Sequence, residues 1–388
     1  MAQPSDPKSE LVDRARSLAP LLAEHAAESE VLRHPTDTVM RAIEDAEIFK
    51  LMVPTRYGGF GLDMDAFVEV VLALAEGDAS LAWVTSFLIE HNWMLCCFPE
   101  TFQKELYRDQ SYVLAPGMIA PSGRARPATG GAILSGRWPF ASGVWHCSWV
   151  IAGGIVSTEG DAPDLRFFAL PREDVTVEDT WHVDGMSGTG SHDVVIDDVF
   201  VPEERSVSIL AMNQGTSPGA AIHDHPLYRT PMIPLLCTAA SMPAVGQTRS
   251  VLREYAARLP TRKRMGIGAA QSEMPQNQIR LGRMTVAADQ AELLLRDTVD
   301  KLCQLRDGAD PAARTRMQAR LASVVHQCRD IISQISLASG GSAHQMSDAL
   351  GRARRDVEVM SCHVAFDLDL THESLGRTLL GGPPSPMV

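Results

Sequence analysis

The chain has 388 residues, a formal net charge of −13 and a pI near 5.4, and 45% of its residues are hydrophobic. This length permits a large core and two or three domains. The acidic balance and the lack of a Lys/Arg-rich run argue against nucleic acid or an anionic membrane as a partner. The polar start MAQPSDPKSE lacks the apolar segment of a signal peptide, and no apolar run reaches membrane-spanning length. Seven cysteines without a CxxC pair indicate reduced thiols, so we expect a cytoplasmic protein.

Three regions of different pattern follow one another along the chain. Residues 1–110 have helical spacing, and Asp78 stands where the N-cap of an apolar helix over Leu81–Leu95 should be. Residues 111–210 contain short apolar runs separated by Gly, Pro and Asp, which predicts a small β-sandwich or barrel. Helical spacing returns over residues 220–388 and predicts a C-terminal helix bundle. The strands are predicted at Tyr112–Leu114, Ala132–Leu134, Trp149–Val156, Phe167–Leu170, Val175–Val183 and Val194–Val201.

The segment Leu134–Gly154 holds half of the six tryptophans, at positions 138, 145 and 149. Its apolar pattern is interrupted after Phe140 by the sequence Ala141-Ser142-Gly143. A Ser-Gly break in a strand indicates that something approaches the backbone closely there. The segment alone fits a flat cofactor held by aromatic walls with one hydroxyl at its edge. The alternative is an ordinary sandwich core with a bulge, and the segment alone favours that interpretation.

Familiar nucleotide and metal motifs are not found. Gly185-x-x-Gly188-x-Gly190 has the wrong spacing for a dinucleotide fingerprint and leads into a strand, so it predicts a β-turn. His223-Asp-His225 lacks a third nearby ligand, and we expect no bound metal.

Four segments resemble the acyl-CoA dehydrogenase superfamily in order and spacing. They are Val53–Val84, GMSGTGSHDVVIDDVFVP over Gly185–Pro202, Arg262-Lys-Arg-Met-Gly266 and Gly340-Gly341. The resemblance extends from about residue 10 to the end of the chain. It implies an α+β, acyl-CoA dehydrogenase-like fold with an N-terminal helical domain, a middle β-domain, a C-terminal four-helix bundle and a flavin site.

The C-terminal motif distinguishes the branches of this superfamily. Dehydrogenases often carry a Glu-Gly-Thr sequence after an Arg-Asp helix start, because removing a thioester α-proton requires a positioned carboxylate. Here Arg355-Asp356 leads to His363 and Val364 at that point. Together with His91-Asn92-Trp93 and the Ser135–Gly143 segment, this resembles the two-component, reduced-flavin-dependent monooxygenases, among them phenol, secosteroid and indole hydroxylases. Glu358 departs from several phenol hydroxylases, which have a further histidine there.

This resemblance implies an oxygenase component that uses FADH₂, with FMN possible, delivered by a separate NAD(P)H-dependent flavin reductase. Reduced flavin and O₂ would form a C4a-hydroperoxide that hydroxylates an aromatic substrate, an indole or a polycyclic phenol, and the assembly would be a homotetramer. The alternatives are an N-oxygenase or nitrososynthase acting on an amino sugar, an acyl-CoA dehydrogenase, and a non-enzymatic scaffold with a flavin fold.

The resemblance also implies which residues form the site. His363 and Asp367, four residues apart on one predicted helix, would pair as acid or base, with a purely structural pair as the alternative. The alternatives for Ser142, His91 and Arg262 are a turn hydroxyl, a core histidine and a surface arginine. The implied catalytic residues are His91, Ser142, His363 and Asp367. The implied flavin-binding residues are Trp138, Phe140, Ser142, Gly143, Trp149, Arg262, Gly340 and Gly341. The implied substrate-binding residues are His91, Asn92 and Trp93.

Overall fold

The computed structural model describes residues 6–157, 163–263, 268–306 and 310–384. Its N-terminal part is helical. Asp78 caps the fourth helix as predicted, since its side chain accepts a hydrogen bond from the Leu81 N–H at 3.0 Å. That helix is apolar on every face and almost wholly buried, as expected of a helix inside a large core. The N-terminal helices are α1 (Pro7–Leu32), α2 (Asp37–Asp45), α3 (Met64–Ala75), α4 (Ala79–Leu95) and α5 (Glu100–Leu106).

The middle part is one seven-stranded mixed sheet in the order β5-β6-β2-β1-β3-β4-β7. Only β1 and β3 run parallel; the other neighbours are antiparallel. Its interior packs around Trp138 with branched and small apolar residues. The strands are β1 (Gly117–Ala128), β2 (Gly131–Ala141), β3 (Trp149–Val156), β4 (Asp164–Pro171), β5 (Thr176–Glu178), β6 (His192–Pro202) and β7 (Ser206–Ser208).

The C-terminal part is again helical, and its long helices α8, α9 and α10 pack on one another and on α3 and α4. The helices are α6 (Ile209–Gln214), α7 (Pro218–Ile222), α8 (Met232–Arg258), α9 (Pro275–Gln304), α10 (Pro311–Ala338), α11 (Ala349–Met360) and α12 (Leu368–Leu379). None of the helices in the described part of the chain has the length and apolar character needed to cross a bilayer. The predicted α+β fold class is confirmed.

All three parts meet at the end of β2. The turn after β2 contacts α4, the loop over residues 185–191 contacts α1 and α4, and the segment between α11 and α12 also contacts α4. All three parts therefore contribute residues to this junction.

Candidate active site

Trp83 lies at the centre of this junction. Its indole N–H donates to the Ser142 hydroxyl at 3.2 Å, and its ring packs edge-on against the rings of Phe87 and His363, at centroid distances of 4.9 and 5.6 Å. The Phe87 ring lies 5.5 Å from that of His91. Residues 83, 87 and 91 are spaced four apart on α4, so they share one face of the helix. Three predicted catalytic residues, His91, Ser142 and His363, thus come together around two aromatic rings that the sequence reasoning missed.

The turn that carries Ser142 has an unusual backbone. Phe140 has φ +69° and Gly143 has φ +76°, both in the left-handed region. A Cβ on Gly143 would lie only 2.8 Å from Val84 Cγ1, so a side chain there would collide with α4. The Gly143 N–H donates to the Thr189 carbonyl at 2.8 Å. The predicted close approach at the Ser-Gly kink is therefore the approach of the β2 turn to α4, and it places the half-buried Ser142 hydroxyl beside Trp83.

Phe140 presents an apolar ring to solvent next to this turn. Its side chain is 66% exposed, and its ring packs edge-on against Trp181 at 6.0 Å. The Trp181 N–H donates to the Met186 carbonyl at 3.0 Å, which fixes the indole. An exposed aromatic ring packed on a half-buried one, beside a polar hydroxyl, suits a flat aromatic ligand.

His91 is a neutral imidazole with one nitrogen committed. Its Nδ1–H donates to the Ala115 carbonyl at 2.8 Å, so the lone pair is on Nε2. Burial lowers the pKa of His91 to about 4. Its nearest polar neighbour at Nε2 is Glu90 Oε2, 3.5 Å away, which is too long for a good hydrogen bond. Burial raises the pKa of Glu90 well above its usual range, so this carboxyl is also neutral.

His363 does not pair with Asp367, and that prediction is wrong. The helix α11 ends at Met360, and a short 3₁₀ turn over Val364–Phe366 separates His363 from α12. Asp367 is the N-cap of α12, because its carboxylate accepts the Leu370 N–H at 2.9 Å. The four-residue spacing therefore spans a turn, where side chains four apart do not share a face.

The imidazole of His363 is held by its own turn. Nδ1 accepts the Ala365 N–H at 3.2 Å, so the proton of the neutral ring is on Nε2. The residue is exposed at the surface, yet desolvation of the imidazole lowers the pKa of His363. The predicted upward shift from Asp367 is thus replaced by a downward shift, and the ring is neutral at pH 7.

The predicted substrate residues Asn92 and Trp93 are fully buried and fully bonded. The Asn92 amide N–H₂ donates to the Leu88 and Val113 carbonyls, and its oxygen accepts the Val113 N–H. The Trp93 indole N–H donates to the Leu227 carbonyl at 2.9 Å. Both side chains join α4 to neighbouring segments, so we no longer expect either to bind substrate.

Both of the predicted flavin-binding tryptophans, Trp138 and Trp149, pack against other parts of the protein and not beside Ser142. Trp138 is completely buried in the sheet, where its N–H donates to the Gly153 carbonyl at 2.7 Å. Trp149 packs edge-on against Phe102 at 5.3 Å, with the Arg205 guanidinium 5.1 Å from its ring. These contacts replace the aromatic walls that the sequence predicted around Ser142. Trp83, Phe87 and Trp181 take that place.

Arg262 and the Gly340-Gly341 turn form a second group on the C-terminal helices. The Arg262 guanidinium donates to the Ser339 carbonyl at 2.8 Å and to the Ser342 hydroxyl at 3.1 Å. A Cβ on either glycine would meet no atom within 4 Å, so the turn borders open space. The rest of the predicted Arg262–Gly266 motif, from residue 264 onwards, lies outside the described residues.

The buried acid Asp356 holds the 185–191 loop in place through Met186. Asp356 Oδ1 accepts the Met186 N–H at 2.6 Å. Burial, reinforced by the nearby carboxyl of Asp78, raises the pKa of Asp356 to about 7. Three further charged residues belong to this cluster. Arg352 Nε lies 3.6 Å from Asp78 Oδ2, and Arg355 forms an ion pair with Glu30. This cluster joins α11 to α1, α4 and the 185–191 loop.

Comparison with known proteins identifies the two helical parts. Residues 8–107 match the N-terminal domain of acyl-CoA dehydrogenases, and residues 238–368 match their C-terminal domain. The chain is 35% identical to a pigment production hydroxylase of a Rhodococcus species, over 97% of this chain and 98% of that protein. It is 31% identical to the oxygenase subunit HsaA, a flavin-dependent monooxygenase of Rhodococcus jostii, over 96% and 98%.

A third relative and two solved structures extend this similarity. An FADH₂-dependent resorcinol hydroxylase oxygenase component of a Rhizobium species is 28% identical over 97% of this chain and 96% of that protein. The crystal structure of 3-HSA hydroxylase from a Rhodococcus species superposes with a TM-score of 0.93 at 30% identity, covering 98% of this chain and 99% of that one. XiaF of a Streptomyces species, solved with FADH₂ and glycerol, gives 0.90 at 27% identity, covering 97% and 96%.

Proposed function

The chain belongs to the acyl-CoA dehydrogenase family and, within it, to the oxygenase subunits of flavin-dependent monooxygenases, and from this premise we propose its reaction. It is the oxygenase component of a two-component system that uses reduced flavin and O₂ to hydroxylate an aromatic ring of the phenol or indole type. The observation that carries this proposal is the convergence of Ser142, His91 and His363 on the Trp83–Phe87 pair.

The residues at the end of β2 fit a flavin ring. Ser142 offers a half-buried hydroxyl, and the Phe140–Trp181 pair offers an apolar surface beside it. A reduced flavin bound there supplies the electrons that activate O₂. FADH₂ is the form named for the resorcinol hydroxylase and for the XiaF complex, and FMN is the second form to test. Arg262 and the Gly340-Gly341 turn are proposed to hold a phosphate of a flavin bound to a neighbouring subunit.

The two histidines suit different tasks beside the Trp83–Phe87 rings. His363 keeps its proton on Nε2, so it can donate a hydrogen bond to an oxygen atom of the substrate or of the reacting oxygen species. A base role through Nδ1 is blocked by the Ala365 N–H. His91 presents a lone pair at Nε2, so it can accept a proton or a hydrogen bond. Trp83 and Phe87 between them exclude water from the reacting groups.

The proposed partners follow from the same reading. A separate NAD(P)H-dependent reductase supplies the flavin, because an oxygenase component has no reductase activity of its own. The proposed assembly is a homotetramer, and three exposed apolar residues spaced seven apart on α9, namely Ile279, Val286 and Leu293, support contact with another copy of the chain. The seven cysteines are all unpaired, which supports a reducing, cytoplasmic location.

A single-turnover experiment tests the reaction. The protein is mixed anaerobically with reduced FAD and then with O₂ and a panel of phenols and indoles, and hydroxylated product is counted per reduced flavin. We expect product from at least one aromatic substrate, with the remaining electrons recovered as hydrogen peroxide. Loss of the His363 donor in His363→Ala should lower the product ratio about tenfold, the effect of one hydrogen bond, and leave flavin affinity nearly unchanged.

His372→Ala is the matched control, because His372 is an exposed histidine on α12. It should behave as the unchanged protein does. Bleaching of oxidised flavin by an acyl-CoA, with no product from O₂, would overturn the proposal in favour of a dehydrogenase. Equal product ratios for His363→Ala and the unchanged protein would remove His363 from the mechanism.

A further inference from the structure

Three hydroxyl groups form a continuous chain behind the flavin-facing turn. The Ser142 and Ser191 oxygens are 2.8 Å apart, and those of Ser191 and Thr189 are 2.7 Å apart. The Thr189 oxygen then lies 2.8 Å from the carbonyl oxygen of Met186. Ser191 and Thr189 are buried, with 4% and 0% of their surface exposed. Their hydroxyl hydrogens therefore cannot donate to bulk water.

The carbonyl at the inner end sets the direction of the chain. A carbonyl oxygen only accepts, so the Thr189 hydroxyl donates to Met186. Thr189 has no second hydrogen, so Ser191 donates to Thr189, and Ser142 in turn donates to Ser191. The reverse order would leave the Thr189 and Met186 oxygens facing each other at 2.8 Å with no hydrogen between them, in a buried place where that repulsion is costly.

The neighbours of Met186 hold this carbonyl in place. The Met186 N–H donates to Asp356 Oδ1 at 2.6 Å, and the Trp181 indole N–H also donates to the Met186 carbonyl. At the outer end the Trp83 N–H donates to Ser142 at 3.2 Å. The Ser142 hydroxyl therefore has its hydrogen committed to Ser191 and one lone pair committed to Trp83. What remains for a ligand is one lone pair.

We propose that Ser191 and Thr189 determine which redox form of flavin the site prefers, by making Ser142 a hydrogen-bond acceptor only. The N5 atom of a reduced flavin carries a hydrogen and can donate to Ser142. The N5 atom of an oxidised flavin carries only a lone pair and meets a second lone pair. The proposal rests on the proposed function, and it makes the two buried hydroxyls positioning residues that act through Ser142 and do not touch the cofactor.

The test compares the affinities of the two redox forms. Dissociation constants for oxidised FAD and for dithionite-reduced FAD are measured anaerobically on the full-length protein, and their ratio is taken. In Ser191→Ala the Ser142 hydroxyl loses its acceptor and can turn to donate to oxidised N5. We expect the preference for reduced FAD to fall about tenfold, the effect of one hydrogen bond. The midpoint potential of bound FAD should then fall by about 30 mV, as a tenfold ratio requires for two electrons.

Two variants of Thr189 separate direction from packing. Thr189→Val keeps the shape but removes the hydroxyl, so Ser191 is free to donate back to Ser142 and the preference should fall as in Ser191→Ala. Thr189→Ser keeps the hydroxyl and should restore the preference. Ser135→Ala is the control on β2, the strand that leads to Ser142, because the Ser135 hydroxyl bonds to Asp198 and not to the chain of hydroxyls. It should leave the ratio unchanged.

The outcomes distinguish this proposal from the proposed function. Failure of the unchanged protein to bind either form of FAD would overturn both. Binding and hydroxylation with an affinity ratio that Ser191→Ala and Thr189→Val do not change would overturn the role of the hydroxyl chain alone. A preference of the unchanged protein for oxidised FAD would contradict the assigned direction.

Discussion

Glu90 and His91 occupy consecutive positions of α4, and both side chains are almost completely buried. Neither Glu90 oxygen has a hydrogen-bond partner among the residues that the structure describes, and the same is true of His91 Nε2. A buried polar group without a partner lowers stability by about 1–3 kcal/mol, because its hydration is lost and not replaced. Since both groups are neutral, this cost arises from unpaired polar atoms and not from a buried ion pair. A group that costs stability next to the candidate active site is most simply explained by a use in the reaction.

Replacing Glu90 with Met should therefore stabilise the protein. Met has a similar length and fills the site without an unpaired oxygen, so we expect the free energy of unfolding to rise by about 1–3 kcal/mol. Glu90→Gln keeps unpaired polar atoms and should give no such gain. Urea titrations at one fixed protein concentration measure the difference.

Glu100→Met provides the control for the same exchange at the surface. Glu100 pairs there with Arg56 and Lys104 in contact with solvent, where substitutions usually change stability by less than about 0.5 kcal/mol. A lower free energy of unfolding in Glu90→Met than in the unchanged protein would show that the carboxyl has partners we have not recognised.

Among the elements, α11 links the C-terminal helices to the 185–191 loop through Asp356. Its carboxyl accepts the Met186 N–H, and the charged groups that act on it are Asp78 of the α4 N-cap, Glu30 of α1 and Arg352 of its own helix. Arg355, the preceding residue on α11, pairs with Glu30. Burial and the second acid favour the protonated form, which raises the pKa of Asp356 to about 7 from an ordinary value near 4. The folded state therefore binds a proton that the unfolded state releases over this range.

This linkage predicts that stability falls as the pH rises from 5 to 8. A carboxyl with a raised folded-state pKa contributes stability fully below its unfolded pKa and loses it as the pH passes the folded value. We expect a loss on the order of 3 kcal/mol in the unchanged protein. Asp356→Asn, which can still accept the Met186 N–H, should show a much flatter dependence.

Urea midpoints at each pH measure this effect. Asp369→Asn is the control, since Asp369 is an exposed acid in the first turn of α12. A slope in Asp356→Asn as steep as that of the unchanged protein would assign the effect to other groups, with Asp78 the first to examine.

The element scale also shows where the sequence was informative and where it was not. Asp78 and the apolar run after it predicted α4, because a capping residue and an apolar run are both recognised from neighbouring positions in the sequence. The strand β1 was missed, since Gly117–Ala128 carries two prolines and a Ser-Gly pair in place of an alternating apolar pattern. Gly123 is needed there because a Cβ would lie 2.0 Å from the Trp138 ring, a contact that only the paired strands create. The predicted helical pair of His363 and Asp367 failed because no Gly or Pro in the sequence marks the break after Met360.

At the scale of the whole molecule, the candidate active site exists only because three parts of the chain meet. Trp83 comes from the N-terminal helices, Ser142 from the β-domain and His363 from the C-terminal helices, and no one part holds two of them. Of the residues predicted as catalytic, His91, Ser142 and His363 each lie against the Trp83–Phe87 pair. Trp83 and Phe87 could be found only from the contacts between the parts, because spacing along the chain does not encode them.

Assembly of the subunits also depends on the surface of the whole molecule. Ile279, Val286 and Leu293 lie seven residues apart on α9, so they form one exposed apolar stripe about 21 Å long. A stripe of this kind on a charged surface is typical of a subunit interface, and we expect a second copy of the chain to cover it. Placing a charge at its centre with Val286→Glu should convert the expected tetramer into smaller species, as measured by light scattering after size-exclusion chromatography. Val31→Glu makes the same exchange at an exposed valine on α1 and should leave the mass unchanged. If Val286→Glu elutes with the mass of the unchanged tetramer, or if the unchanged protein is a monomer, the stripe is not the interface.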